Sequence, residues 1–556
     1  MTRQNYANVV DALTMVPGLT LGLHGTPGQT VSVFTRGTDS AATLLTIDGR
    51  RQAPDISGFY DFANLTLDNV ERIEDVRTPS SAVQGGNSIG GVINIVTQSG
   101  RGLESPEGSV AFEAGSFDTF REIAQSRGAA ENFDYSVGFS RQDSHFPRPN
   151  NAYDNTVYRG NYGYTVTPEI YIDVQTSYTT SDAGSPGSTV FTDPTACLFR
   201  ETWNISPRVT AQVTDFYTTT LYYNRTQLRQ VNSDYFNFSH NRTQTDTDSI
   251  DWQNDFQVAS NWKVTAGIQG DHQNVNDFDD IAGVEDITNS LTNVGGYVQS
   301  QWEALPDLRF LNSVRYDAYS DYKGSLSWRQ AVSYRTPETA TLLHASVSSS
   351  YRPPTVAELY FPPFFGFATS NPNLVPETNL GWEAGVEQPF WNNRLKASAT
   401  YFHNKITDLI TSDASTGFVP FNVGNATTEG VELGFDVQAC EQLRFNVNYT
   451  YLNADNDVNH TRLSERPRDT TNFTAIWTPL DPLTLSLGGT WVVDRESAPG
   501  VDQEDYFVLR ATSTWKINDT ASIWVRGENI LGESYAVYAH YPALGAAVYG
   551  GFKLSF

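Results

Sequence analysis

From about residue 100 to the C terminus, apolar and polar residues alternate along the chain. Segment 443–451 carries apolar or aromatic side chains at odd positions, from Leu443 through Val447 to Tyr451, with mostly polar ones between them. Segments 483–493 and 548–556 repeat the pattern. Because successive side chains of a β-strand point to opposite faces, this period of two predicts strands with one apolar and one polar face.

Many of these alternating segments run to ten or more residues, with Tyr, Trp or Phe near their ends. Strands of soluble β-sandwiches are usually shorter, about 5–6 residues. Long alternating strands with aromatic ends are typical of membrane barrels, which turn an apolar face to lipid and a polar face to the lumen. The alternation therefore predicts two sets of side chains: Trp491, Leu487, Phe445 and Val447 toward lipid, and Arg444, Asn446 and Asn448 toward the lumen.

Short turn sequences recur between these strands. They lie at residues 129–132, 167–169, 261–262, 305–307, 336–338, 391–393, 439–442, 479–482 and 518–520, and near Asp215. Ten such turns predict 22 strands, and a barrel of that size has a lumen wide enough to need a plug. Longer connections alternate with the turns and are expected on the outer side of the membrane.

The first 100 residues have a mixed pattern. Residues 5–15 carry apolar side chains at helical spacing and stop at Pro17-Gly18, while 30–34, 43–47 and 91–97 are short β-rich runs separated by glycine-rich turns. Residues 1–100 are therefore predicted to form a compact α+β domain and residues 101–556 the barrel. The predicted fold class is an all-β membrane protein, a 22-stranded antiparallel transmembrane β-barrel filled by an N-terminal α+β plug.

Composition narrows the function. The 556 residues include 36 Lys and Arg against 63 Asp and Glu, a formal net charge of -27, which argues against a nucleic-acid partner. Two cysteines exclude a disulfide framework, and the turn map assigns Cys197 to an outer loop and Cys440 to a periplasmic turn, too far apart to pair. The N terminus shows no signal-peptide pattern, and no apolar run reaches the roughly 18 residues of a membrane helix.

Several sequence blocks resemble TonB-dependent outer-membrane receptors. The plug blocks are Ser32-Val33-Phe34-Thr35-Arg36-Gly37, Ile47-Asp48-Gly49-Arg50-Arg51, Val70-Glu71-Arg72-Ile73-Glu74 and Ile89-Gly90-Gly91-Val92-Ile93-Asn94-Ile95. The barrel adds Tyr351-Arg352-Pro353-Pro354-Thr355, Asn371-Pro372-Asn373-Leu374-Val375-Pro376-Glu377, Glu429-Gly430-Val431-Glu432 and a C-terminal Phe. Gly28-Gln29 before the first block is similar to the cobalamin-receptor branch.

The resemblance implies a monomeric receptor in the outer membrane of a Gram-negative bacterium, contacting outer-membrane lipid and energised by a TonB-type coupling protein. It implies active import of a large, scarce ligand, a cobalamin-type corrinoid first and a ferric siderophore as the alternative, with no enzymatic activity and no required cofactor. A passive porin would leave the plug blocks without a purpose, and a soluble β protein or hydrolase conflicts with the apolar strand faces.

The chain also departs from the family pattern. Arg77-Thr78-Pro79 stands where the family usually has Arg-Gly-Pro, and Gln84-Gly85 where it has Tyr-Gly. The segment before the plug helix, which carries the TonB box in the family, is not seen in this sequence. A receptor without that segment would bind its ligand without transporting it, and whether a longer precursor carries the segment is left open by these residues.

The resemblance also indicates where ligand binds. The family's apical plug loops correspond to residues 24–29 and 52–60, and the candidate contacts there are His24, Gln29, Gln52, Asp55, Phe59 and Tyr60. Hydrogen-bonding groups mixed with aromatic rings suit a large, partly apolar ligand better than an ion. The alternative is that Gly and Pro in these loops only shape turns.

Ion pairs between plug and wall are predicted from the same resemblance and from strand parity. Arg36 and Arg77 lie in plug motifs where the family carries such pairs. With Trp382 and Leu433 facing lipid, Glu383 and Glu432 turn into the lumen. A carboxylate in a partly desolvated lumen needs a cation, and Arg offers bidentate geometry.

Two further motifs have weaker chemical meanings. Asp277, Asp279 and Asp280, together with Glu285 and Asp286, make an acidic outer loop that is a candidate Ca²⁺ site, although the spacing does not fit an EF-hand. Gly86-Asn87-Ser88-Ile89-Gly90 matches a nucleophile elbow formally, but a strand-forming run follows it where that motif needs a helix. The eight histidines are scattered and do not indicate a zinc site.

Overall fold

The computed structural model describes residues 4–234, 239–281, 284–361, 369–411 and 419–556. The protein has two parts, and the N-terminal one is the plug. Its elements are α1 (Val9–Leu13), β1 (Leu19–Leu23), β2 (Val31–Thr35), a 3-10 turn (Ser40–Ala42), β3 (Thr43–Ile47), β4 (Arg50–Arg51), β5 (Val70–Val76), α2 (Ser81–Gln84) and β6 (Gly91–Thr97). Strands β4, β3, β6 and β5 form one sheet in that order, and β1 pairs with β2.

The plug has its own apolar core. Val9 and Leu13 of α1 pack with Val33, Leu44 and other buried side chains of β1, β2, β3 and β6, and partly buried side chains of β5 pack against them. These residues come from the short β-rich runs and the helical segment that the sequence pattern identifies. The plug is thus a packed domain inside the lumen and not a loop folded into it.

Strand β5 was not recognisable from its pattern. Val70, Ile73 and Val76 repeat every three residues, which is typical of a helix, yet the segment is the edge strand of the plug sheet. Its pairing with β6 shifts between Val70 and Arg72. A bulge of this kind breaks the alternation that would identify a strand.

The second part is a closed barrel. Its strands are β7 (Glu107–Gly115), β8 (Thr119–Ala130), β9 (Phe133–His145), β10 (Ala152–Thr167), β11 (Ile170–Gly184), β12 (Cys197–Thr214), β13 (Tyr217–Asp234), β14 (Ser239–Ala259), β15 (Trp262–Asp279), β16 (Val284–Leu305), β17 (Leu308–Tyr319), β18 (Ser325–Arg335), β19 (Leu342–Arg352), β20 (Glu377–Phe390), β21 (Leu395–Thr411), β22 (Phe421–Cys440), β23 (Leu443–Asn456), the two-residue β24 (Thr461–Arg462), β25 (Asp469–Leu480), β26 (Leu483–Val493), β29 (Tyr506–Lys516), β30 (Ala521–Glu528) and β33 (Ala547–Ser555). Short outer elements are α3 (Val356–Tyr360), β27 (Arg495–Ala498), β28 (Val501–Gln503), β31 (Ala536–Tyr538) and β32 (Tyr541–Pro542).

The barrel confirms the predicted strand count. Without the accessory β24 it has 22 antiparallel strands, and β33 pairs with β7 to close it. The strand ends coincide with the ten predicted turns, including the turn between Thr214 and Tyr217. Within the described residues no helix is both long and apolar enough to cross a membrane.

Side-chain exposure follows the predicted alternation. Leu487, Trp491 and Phe445 are exposed on the outer surface. Asn448 is buried and its amide donates to the Met15 carbonyl of the plug at 3.0 Å. Because the two faces differ in this way, the polar side of each strand is available to contact the plug.

The structure also bears on the two cysteines and on the motif around Ser88. Cys197 begins β12 and Cys440 ends β22, and both are free thiols. Ser88 is fully buried, and its hydroxyl donates to the Gly85 carbonyl at 2.6 Å. Strand β6 follows it, so the strand, turn and helix of a nucleophile elbow are not present around Ser88.

Candidate ligand site and plug contacts

The apical loop 52–59 is held by its own carboxylate. Asp55 accepts hydrogen bonds from the backbone of Ser57 (2.9 Å) and Phe59 (3.0 Å), and its Oδ2 lies 3.9 Å from the Arg200 guanidinium of the wall. Burial raises the pKa of Asp55 despite these partners. Its role in the structure is to shape the loop, and ligand contact by Asp55 stays a prediction.

Gln52 and Phe59 line cavities at the apex of the plug. Gln52 lies between two of them, one against β14–β17 and one against β10–β13. Phe59 lines the second cavity beside Asp61 and Arg200. Tyr60 differs, because it is only 4% exposed and packs in the plug core, although it also borders the second cavity.

His24 and Gln29 contact the outer part of the barrel. The His24 ring stacks on Tyr538 with 3.9 Å between centroids, and burial lowers its pKa. The Gln29 amide donates to the Gly184 carbonyl at 2.7 Å. Both side chains join this plug loop to outer segments, and ligand contact by either one stays a prediction.

The structure brings Arg36 and Arg77 together with Glu383 and Glu432. Arg36 donates to Glu432 through Nε (2.9 Å) and Nη2 (3.0 Å), and to Glu383 through Nη1 (2.8 Å). Arg77 donates to the same Glu432 at 2.9 Å. Three of the four side chains are nearly buried, since Arg36, Glu432 and Glu383 are 5%, 6% and 11% exposed. We call these four residues the clamp.

A fifth charged residue adjoins the clamp. Asp75 lies 3.2 Å from Arg77 Nε, which gives the group two cations and three carboxylates. Burial raises the pKa of Asp75 to about 6, and Glu432 adds to the increase while Arg77 opposes it. The sequence did not predict this role of Asp75, because Asp75 lies on β5, and the three-residue spacing of apolar side chains there does not indicate a strand.

Other plug-to-wall contacts were also missed. Arg50 of the plug pairs with Asp173 of β11, and both are buried. Arg159 of β10 donates to the Thr66 carbonyl at 3.0 Å, and Arg121 of β8 pairs with Asp68 at 2.6 Å. Strand parity marks such arginines as lumenal, but their partners depend on how the plug is seated in the barrel.

The acidic outer loop has partners within the protein. Asp277 is buried and accepts from Thr243, and Asp280 pairs with Arg242 (3.2 Å) and His240 (3.3 Å). In the ranges that the structure describes, no group of three or more His, Cys, Asp or Glu side chains is placed to hold a metal ion. The side chains of Glu285 and Asp286 lie outside the described residues, and calcium binding at Asp277, Asp279 and Asp280 stays a prediction.

Comparison with known proteins places the barrel and plug in one family. The family model for the TonB dependent receptor-like beta-barrel matches residues 112–530, and the TonB-dependent receptor plug domain model matches residues 1–92. The chain belongs to the TonB-dependent receptors, transport receptors of the Gram-negative outer membrane.

Individual relatives share less than a quarter of their residues with this chain. The vitamin B12 transporter of Photobacterium profundum is 24% identical over 96% of this chain and 87% of its own length. A ferric enterobactin receptor of Pseudomonas aeruginosa superposes with a TM-score of 0.82 at 18% identity, covering 99% of this chain and 96% of that one. FpvA of P. aeruginosa, bound to pyoverdine, superposes with a TM-score of 0.83 at 15% identity, covering 100% and 85%. These structural likenesses show the fold.

Asp75→Asn is expected to stabilise the seated plug at pH 7.5, in contrast to changes at the clamp. The folded-state pKa of about 6 lies above the ordinary 3.8, so the folded protein takes up a proton more readily and this group stabilises it as pH falls toward 5. In the Asp75→Asn variant, this increase in stability between pH 7.5 and pH 5 should be absent. Calorimetry at pH 7.5 and pH 5 measures both effects.

The exposed Glu71, on the same strand, provides the control. Glu71→Gln should change neither the stability at pH 7.5 nor its pH dependence, because the side chain is half exposed. An Asp75→Asn variant that is less stable than wild type at pH 7.5 would contradict the prediction.

Proposed function

We propose that this receptor imports a cobalamin-type corrinoid, driven by a TonB-type coupling protein. The observation that carries the proposal is the charge balance at the plug apex. The two apical cavities are lined by three arginines and three aspartates: Arg51, Arg159, Arg200, Asp55, Asp61 and Asp271. A lining without net charge favours a ligand without large net charge.

The uncharged groups of the lining support the same ligand class. Beside Gln52 the first cavity has amides at Asn87, Gln273 and Asn293, with hydroxyls at Thr247 and Ser249. A corrinoid ring carries amide side chains around its edge, which both donate and accept hydrogen bonds. Ferric catecholates are strongly anionic and need cations that no carboxylate already neutralises. The relative named as a vitamin B12 transporter, at 24% identity, also supports a corrinoid.

The size of the cavity indicates how the ligand would be seated. The space between the apical loop and β14–β17 is about 120 Å³, which holds a few water molecules and not a corrinoid. The ligand would therefore rest on this floor and be enclosed from above by the outer loops. Gln52 would contact it from below.

Binding titrations distinguish the ligand classes. Purified receptor in detergent is titrated with cyanocobalamin, ferric enterobactin and a ferric hydroxamate at the same salt concentration. We expect saturable binding of cyanocobalamin and weaker or no binding of the two iron complexes. Tighter binding of either iron complex would replace the corrinoid by a siderophore as substrate.

Gln52→Ala is expected to weaken cyanocobalamin binding by about 1–2 kcal/mol, the value of one lost hydrogen bond to a neutral ligand. Gln438→Ala is the matched control, because this glutamine lies at the periplasmic end of β22 and bonds only to nearby backbone. An unchanged affinity in Gln52→Ala, with full binding retained, would move the contact site into the outer loops.

A further inference from the structure

The short outer helix α3 lies against the apical plug loop 52–59. The Ala357 N–H of the helix donates to the Ile56 carbonyl of the loop at 3.1 Å. The Ile56 side chain packs against buried Val356, in a cluster that α3 shares with the barrel wall. Gly58 of the loop has φ +83°, and a Cβ there would lie 2.8 Å from the Thr355 methyl group. The loop and the helix therefore contact each other through backbone and side chains together.

The start of α3 is fixed by the chain that leads into it. Pro353 and Pro354 separate the end of β19 from Thr355, and each proline fixes its own φ. The Thr355 hydroxyl accepts from the Glu358 N–H at 3.1 Å, while the Glu358 carboxylate accepts from the Thr355 N–H at 2.7 Å. This is a capping box. A helix of five residues is not stable alone, so α3 depends on such contacts for its position.

A buried charge network ties α3 to the barrel wall through Glu358. Arg352 of β19 donates to both Glu358 oxygens at 3.1 Å, and its Nη2 also donates to Glu377 of β20 at 2.7 Å. Glu377 accepts in addition from the Ile410 N–H of β21 at 2.9 Å. Arg352 and Glu377 are only 4% and 2% exposed. Glu358 thus connects the helix to three neighbouring strands and caps its first turn at the same time.

The helix and the loop form two sides of one cavity. Gln52 and Asp55 of the plug line the first apical cavity together with Thr355 and Val356 at the start of α3. Asp55 closes the turn of the loop from within. The hydrogen bond from Ala357 determines where that turn stands relative to the wall. A displacement of α3 would therefore change the shape of the floor on which a ligand rests.

We propose that α3 positions the apical loop for ligand binding, and that Glu358 is the positioning residue that holds α3 in place. The loop then takes its binding shape from the wall as well as from the plug. The ligand used in the test rests on the proposed function, whereas the position of the loop does not.

Two substitutions at Glu358 and two at Thr355 separate the contributions. Glu358→Ala removes the cap and the ion pair, while Glu358→Gln keeps an oxygen that can still cap the helix. In both variants Arg352 retains Glu377, so no buried charge is left without a partner. Thr355→Val removes the capping hydroxyl but keeps the branched shape, and Thr355→Ser keeps the hydroxyl. The Thr355 variants test the same helix without altering the buried charges.

Glu496→Ala is the matched control. Glu496 is an outer carboxylate that is 13% exposed and lies 3.5 Å from Arg462. Its removal leaves Arg462 paired with Asp494 at 2.6 Å, just as the removal of Glu358 leaves Arg352 with Glu377. Glu496 lies on the hairpin β27–β28 and not on α3. The control therefore removes a comparable ion pair at a different outer loop.

A spin label on the loop reports its position without any ligand. In a Cys197→Ser/Cys440→Ser background, Ser57→Cys is labelled with a nitroxide, and its spectrum is recorded in detergent. We expect an immobilised label in the parent, in Thr355→Ser and in Glu496→Ala. The label should become mobile in Glu358→Ala and Thr355→Val, and less so in Glu358→Gln. An immobile label in both Glu358→Ala and Thr355→Val would overturn the proposal.

Titration with cyanocobalamin then connects the loop to binding. We expect a several-fold higher Kd in Glu358→Ala and Thr355→Val, and an unchanged Kd in Thr355→Ser and Glu496→Ala. A mobile label with an unchanged Kd would overturn the positioning role. A wild-type receptor that binds a ferric siderophore and not cyanocobalamin would overturn the corrinoid proposal alone, and the same variants titrated with that iron complex would then decide the role of Glu358.

Discussion

Glu432→Gln is expected to loosen the plug by about 3–5 kcal/mol, the usual cost of removing one partner from a buried ion pair. Glu432 receives three hydrogen bonds from two guanidinium groups, so its neutralisation leaves Arg77 with Asp75 and Arg36 with Glu383 alone. Most of the cost comes from the charge-assisted hydrogen bonds that the two guanidinium groups lose in a site that is nearly closed to water. A glutamine cannot replace it, because its NH₂ group faces donors.

Small-solute leakage measures this effect. Liposomes containing Glu432→Gln should swell in small sugars faster than liposomes with the wild-type receptor, and the plug should become sensitive to protease. Glu441→Gln is the control, since this carboxylate lies in the exposed turn between β22 and β23. If the two variants leaked equally little and resisted protease equally, the clamp would not be what holds the plug.

The clamp also explains one glycine. Gly18 has φ +75°, and a Cβ at this position would lie 2.1 Å from the Glu432 carboxylate. The Gly18 N–H donates to Thr450 of β23 at 2.9 Å, next to the clamp. The Pro17-Gly18 pair that ends the predicted helix therefore has a second purpose, because it lets the plug backbone reach the wall carboxylate.

The barrel could be predicted from sequence because the alternation of apolar and polar side chains is visible within each single strand. A strand between lipid and water has to alternate, so Glu383 and Glu432 could be assigned to the lumen before their partners were visible. The structure brings both to Arg36. Asp75 could not be found in this way, since β5 contains a bulge and its apolar residues follow a spacing of three.

The candidate ligand residues show the limit of motif reasoning. Gln52 and Asp55 both line the two apical cavities, but the Asp55 carboxylate already bonds to its own loop and Tyr60 packs into the plug core. Which of several neighbouring side chains faces the solute depends on backbone turns fixed by tertiary contacts. The same is true of the Arg50–Asp173 pair, whose partners lie far apart in sequence and meet only once the plug is seated.

Leu487→Arg is expected to destabilise the barrel by about 2–4 kcal/mol if the residue lies near the bilayer midplane. Leu487 is exposed on β26, and its neighbours across the sheet are Ala475 and Ala511. These small side chains give an arginine no partner and no cover from lipid.

Asn446→Arg is the matched control, because this residue has the lumenal parity of Asn448 and meets water. Folding into liposomes across a urea series, followed by tryptophan fluorescence, gives both free energies. A stable Leu487→Arg barrel beside a destabilised Asn446→Arg barrel would invert the assignment of the two faces, and with it the lumenal placement of every clamp carboxylate.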